Sequence, residues 1–177
     1  MNAFPLQWSV DIKDVARGAP SRFDYEATQD ELAALKDYAG IDDLSRFRSD
    51  VRIAALAGGR FGVSGKIYAD LMQSSVVNLA PVPSRIEEDF AVEYWPEESL
   101  AEGEPENWPL EADLPEAIFD GRIAIGAFLS ELFVLALDPY PRNEGDSFEW
   151  EPEEPETATH PFAGLSRLKP RGGEKNS

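Results

Sequence analysis

The chain has 177 residues, 42% of them hydrophobic, with 16 basic side chains against 34 acidic ones and a formal charge of −18. That length fits one domain, and the apolar share is enough for a core. With no cysteine, a disulfide framework, a thiolate metal site and a cysteine nucleophile are excluded, and the acidity opposes non-specific attraction to nucleic acid.

The charge is unevenly placed. Residues 1–85 are nearly balanced, residues 86–120 and 143–160 hold acidic side chains and no basic one, and the stretch after Pro161 turns basic again. Exposed charges farther apart than about 8 Å are largely screened at physiological salt. A basic patch in the first half can therefore act locally.

In chain order, "FPLQWSVDI" alternates Phe4, Leu6, Trp8 and Val10 with polar residues and predicts a half-buried strand. No basic region leads into an apolar run there, so no signal peptide is expected. "RFDYEA" predicts a second strand with Phe23 and Tyr25 inward. "TQDELAALKDYAG" predicts a helix with a Thr28–Glu31 capping box and a left-handed stop at Gly40.

The strongest period-two pattern follows. Phe47, Val51, Ile53 and Ala55 alternate with Arg46, Arg48, Asp50 and Arg52, then Phe61, Val63, Ile67, Ala69 and Leu71 alternate with Arg60, Ser64, Lys66 and Asp70. "AGG" at 57–59 supplies the turn of this hairpin. Pro81 and Pro83 are expected to break regular pairing. "RIEEDFAVEYW" then predicts a strand with Ile86, Phe90, Val92 and Tyr94 inward and Glu87, Asp89, Glu93 and Trp95 outward.

Residues 97–113 are acidic and poor in apolar groups, and predict a solvated loop or disordered insertion. "EAIFDGRIAI" predicts a short strand. "GAFLSELFVLAL" predicts a helix whose apolar side is Ile125, Phe128, Leu129, Leu132 and Leu135, stopped by Asp138-Pro139 and Tyr140-Pro141. Its apolar run is about a dozen residues and contains Glu131; a bilayer span needs about 20, so no membrane segment is expected. Residues 151–177 read as an acidic connector, the short amphipathic "PFAGLSRLK" and a flexible basic tail.

These elements predict an α+β domain over residues 1–150. Its sheet is expected to be antiparallel and meander-like, of about five or six strands, open or curled toward a barrel, with two covering helices.

Chemistry-bearing patterns are sparse. The only imidazole, His160, lies in the acidic connector; no phosphate loop follows a strand; and no zinc ligand set exists. Hence no catalytic residue, metal or cofactor is expected, and the protein reads as not an enzyme. Glu131 alone sits in an apolar run. It either reaches water or Arg142 from a helix edge, or, as a hydrolytic acid, needs an apolar pocket that raises its pKa. Arg46, Arg48, Arg52, Arg60 and Lys66 share a hairpin face. That face is a small phosphate-binding or partner-binding surface, or a lattice of pairs with Glu87, Asp89 and Glu93 on the next strand, each worth about 0.2–1 kcal/mol.

Three segments together, "SSVVNLAPVPSRIEEDFAVEYWPEE", "DGRIAIGAFLSELFVLALDPYPRNEG" and "PFAGLSRLK", resemble the YceD family of large ribosomal RNA subunit accumulation proteins. The positions carrying the resemblance are Val76, Val77, Pro81 and Val82, then Glu131, Pro139, Pro141 and Arg142. The resemblance implies a bacterial cytoplasmic protein without catalytic activity, needed for accumulation or processing of large-subunit rRNA. Its partner would be the rRNA precursor or a basic ribosomal protein; the acidic stretches favour the protein. Many relatives carry cysteine where Ser75 stands, so any metal role they have does not transfer. Ala124 stands where relatives often have Asp, which removes a helix cap. The alternative is an acidic interaction module whose partner is unrelated to ribosomes, docking through "PFAGLSRLK".

Overall fold

A computed structural model describes residues 4–101 and 114–146. Most of the acidic insertion, His160 and the whole segment 151–177 lie outside the described residues.

The hairpin forms as the alternation requires. Strand β3 (Asp43–Ala55) pairs antiparallel with β4 (Phe61–Ser74), and Gly58 and Gly59 turn the chain at φ +73° and +74°. Strand β2 (Ser21–Glu26) adds to β3, and the 16-residue β5 (Pro81–Pro96) adds to β4, both antiparallel. Strand β6 (Glu116–Ile118) joins β5 in parallel over Tyr94–Pro96. The sheet order β2-β3-β4-β5-β6 is thus a meander with one parallel edge. It is not closed into a barrel: its outer strands are six and three residues long and each pairs on one side only. Pro81 and Pro83 lie inside β5, contrary to expectation. At that end β5 is a sheet edge, where a missing N–H costs no ladder bond.

Helix α1 (Gln29–Ala39) has the predicted ends. Thr28 and Glu31 complete a capping box, and Gly40 at φ +66° sends its N–H to the Lys36 carbonyl. A five-residue helix, α2 (Glu97–Ala101), opens the acidic insertion where a loop is expected. "EAIFDGRIAI" forms two strands rather than one. Asp120 and Gly121, both at positive φ, turn the chain from β6 into β7 (Arg122–Ile123). β7 pairs with β1 (Val10–Asp11) in a separate two-stranded sheet.

Helix α3 (Ile125–Leu135) lies in the same interior as the hairpin. Phe133 meets Phe47 edge-on at 5.6 Å, and Phe128 meets Phe90 at 5.5 Å. Its buried face is Ile125, Gly126, Leu129, Ser130 and Phe133, whereas Leu135 is 82% exposed. The expected stripe is rotated because a second surface grips the helix. Gly126 N–H donates to the Trp8 carbonyl at 2.8 Å, and its bare Cα lets the Leu6–Trp8 backbone lie against the first turn. That contact also explains why the expected strand over 4–12 is reduced to Val10–Asp11. Its backbone is engaged by the helix rather than by a sheet, although Leu6 and Val10 are buried as their spacing predicts.

The inner sheet face, α1 and α3 enclose one apolar core, while the opposite face of the sheet carries the charges. Trp95, expected outward with Glu93, is buried at 9% exposure. Its indole N–H donates to Glu93 Oε2, and the Arg60 guanidinium lies 5.2 Å from its ring. Among the described residues, no helix is long and apolar enough to cross a membrane.

Candidate binding surfaces

The pleat fixes what the outer sheet face presents. Register sets Arg46, Arg48, Asp50 and Arg52 of β3 against Asp70, Tyr68, Lys66 and Ser64 of β4, and these against Arg85, Glu87, Asp89 and Ala91 of β5. The five predicted cations lie together on this side, and four of them meet carboxylates. Lys66 pairs with Asp89 at 3.2 Å, Arg46 with Glu26 at 3.6 Å, Arg48 with Asp50 at 3.6 Å and Arg60 with Glu93 at 3.8 Å. A fifth pair, Arg85–Asp70 at 2.7 Å, was not anticipated. The Asp89 carboxylate raises the Lys66 ammonium above its usual range, chiefly by hydrogen bonding, and Asp70 does the same for Arg85. Arg52 lies opposite Arg22 with no carboxylate within ion-pair distance among the described residues.

Two shallow depressions mark the face. One of about 380 Å³ is lined by Asp50, Arg52, Ser64, Lys66, Tyr68 and Asp89. The other, about 190 Å³, is lined by Arg46, Arg48, Tyr68, Asp70, Arg85 and Glu87. Both mix the two signs of charge. Of the aromatics on this side, Tyr68 is covered by Arg48 at 3.8 Å and Trp95 by Arg60 at 5.2 Å, while Phe47 and Phe61 are buried in the core. Stacking of bases needs a free ring face. The geometry is therefore that of charge pairing across and, for Arg48–Asp50, along the strands, where each exposed pair contributes about 0–1 kcal/mol.

A different surface gathers seven of the eight positions that carry the family resemblance, all but Glu131. The β4–β5 turn and the segment after α3 are cross-bonded. Val76 N–H donates to the Pro141 carbonyl at 2.9 Å, and the Gln73 side-chain amide to the Asp138 carbonyl at 3.1 Å. Asp146 is the hub. Its carboxylate accepts from the Ser75 hydroxyl at 2.7 Å, the Asn143 N–H at 2.8 Å and the Asn78 amide at 3.0 Å. These bonds, the Ser75 hydroxyl first, hold the Asp146 carboxyl below the usual carboxylate range.

Val82 and Pro141 are buried anchors of this corner, Val77 is half-buried, and Val76, Pro81, Pro139 and Arg142 are exposed. Glu131 is also exposed, on α3, and among the described residues no ion pair joins it to Arg142. It does not occupy the apolar pocket that an acid–base role requires. The Glu131 charge acts on Glu116, whose carboxyl is raised by partial burial and then by that charge. Beside them, burial raises the Tyr94 hydroxyl, which finds no hydrogen-bond partner among the described residues. Among the described residues, no group of three or more histidine or carboxylate side chains is placed to hold a metal ion.

Sequence reasoning missed Gln73, Asn78, Leu79 and Asp146. Asn78 sits in a turn-forming stretch and was legible in principle. Asp146 was not, because the two partners that make it a hub, Asn78 and Ser75, lie 68 and 71 residues away. Compared with protein-family models, curated proteins and solved structures, the chain matches none.

Proposed function

We propose that this protein is a non-enzymatic ribosome-biogenesis factor. It acts in the bacterial cytoplasm, supporting accumulation or processing of large-subunit rRNA by contact with a basic ribosomal protein rather than with the rRNA itself. One observation carries the reading. Parts of two of the three segments behind the family resemblance, around Val76–Val82 and Pro139–Arg142, meet in space and are hydrogen-bonded into one surface corner. A shared surface gives a physical reason for the blocks to occur together. The protein route is favoured because four of the five predicted cations on the sheet face are matched by neighbouring carboxylates. The acidic total suits a basic protein better than a phosphate backbone.

Gradient sedimentation of bacterial extract tests it. The protein is expected to travel with large-subunit precursors, and its deletion to deplete large-subunit rRNA relative to small-subunit rRNA. A protein that stays at the top of the gradient, with rRNA ratios unchanged on deletion, overturns the reading. It would leave the alternative of an acidic interaction module with a partner unrelated to ribosomes.

A further inference from the structure

The stitched corner carries an unusual residue at its tip. Leu79 adopts φ +60°, the left-handed region that non-glycine residues seldom occupy, and it is 79% exposed. Both features work against the free protein. The backbone conformation is strained for a residue with a Cβ, and an apolar side chain held in water recovers none of that strain. Asn or Gly would satisfy the same turn without either penalty. On the same two segments, Val76 is 56% exposed and Tyr140, next to the Pro141 whose carbonyl accepts from Val76 N–H, is 73% exposed. Hydrogen bonds from Ser75, Asn78 and Asn143 to Asp146 keep the tip preformed, so little ordering cost remains for binding.

We infer that Leu79, flanked by Val76 and Tyr140, is the apolar anchor by which this protein docks a lysine- and arginine-rich protein segment bearing an aliphatic pocket. The inference rests on the ribosome-biogenesis reading and narrows it to one surface and one partner chemistry. Charge complementarity selects the occupant. Residues 114–146 carry six acidic side chains against two basic ones, and on the segment after α3 that forms the corner the exposed Asp138 and Glu144 outnumber the exposed Arg142. Apolar contacts at the centre and an acidic rim fit a basic partner, with affinity from the anchor and orientation from the rim.

The test uses the full chain and two immobilised probes: the proteins stripped from purified large ribosomal subunits, and the large-subunit rRNA freed of protein. Wild type is expected to bind the protein probe. Leu79→Asn is expected to bind it about tenfold or more weakly, as for a central anchor, while melting at the same or a higher temperature. That pairing of lost binding with retained stability separates a contact residue from a structural one. Tyr140→Ser provides a second variant should Leu79→Asn fail to fold, with the same loss expected. Leu114→Asn, exposed elsewhere, should bind as wild type. Equal binding by wild type and Leu79→Asn overturns the anchor while leaving the biogenesis role intact. Binding to the rRNA probe alone overturns the partner chemistry, and a wild-type dimer that Leu79→Asn dissociates shows that a second copy occupies the corner. Binding of wild type to neither probe, with no sedimentation on precursors, removes the biogenesis reading itself.

Discussion

A Cβ on Gly126 would stand 2.3 Å from the Leu6 carbonyl oxygen and 2.8 Å from the Trp8 nitrogen. Both are backbone atoms, so no side-chain rotation relieves the clash. Gly126→Ala is expected to cost about 1–3 kcal/mol, read as a lower urea midpoint with an unchanged slope. Glu116 gives a residue-scale prediction with a definite pH dependence. Burial, then the Glu131 charge, raise its carboxyl above the ordinary value. A raised carboxyl favours the folded state while protonated. That contribution is full below the unfolded-state value and is lost as pH rises through the folded one. Glu116→Gln should therefore melt higher than wild type at pH 7 and equal to it near pH 3; no difference at pH 7 would show that Glu116 is not desolvated. Asp146 has the opposite sign. Its depressed carboxyl favours the fold above the ordinary carboxylate range and loses that effect as pH falls through the folded value. The corner should thus stay stitched at neutral pH.

The two long helices differ in how they begin. In α1, the Thr28 hydroxyl accepts from the Glu31 N–H, and the Glu31 carboxylate accepts from the Thr28 N–H at 2.9 Å and from the Tyr25 hydroxyl at 2.7 Å. Burial pushes the Glu31 carboxyl up, but these bonds outweigh it and hold it below its ordinary range. Thr28→Ala is expected to cost about 1 kcal/mol, measured by chemical denaturation. Tertiary burial of Leu32 and Leu35 keeps the helix formed in the variant. Helix α3 starts at Ala124 with no side-chain cap and is held instead by burial and by the Gly126–Trp8 bond. Propensity decides the first helix and packing the second. That is why Thr28, Glu31 and Gly40 could be read from the chain, whereas the buried face of α3 could not. An apolar run such as "GAFLSELFVLAL" has too little polar surface to orient it, so its packing against Leu6–Trp8 is what sets Phe133 rather than Leu135 in the core.

Across the whole molecule, the sheet separates an apolar interior from a face of alternating charge. Arg46→Ala, Arg48→Ala and Arg52→Ala combined should shift stability by no more than about 2 kcal/mol. Two exposed pairs are lost, while the Arg52–Arg22 opposition is relieved. On the protein route, this triple variant sediments with large-subunit precursors as wild type does. A loss of rRNA with a flatter salt dependence, about 0.7 units of slope per lost contact on single strands, would return the face to an RNA role.

The inside-and-outside pattern of β3, β4 and β5, the α1 caps and the sharp stop after α3 were determined by the sequence alone. Each depends on neighbours a few residues apart, where side-chain period and backbone preference act directly. The tertiary structure decided the open sheet with its parallel β6 edge, the orientation of α3 and the corner built on Asp146. These depend on contacts between residues up to more than a hundred positions apart, such as Gly126 with Leu6. Periodicity says which side of an element is apolar, but only chain crossing decides what that side meets.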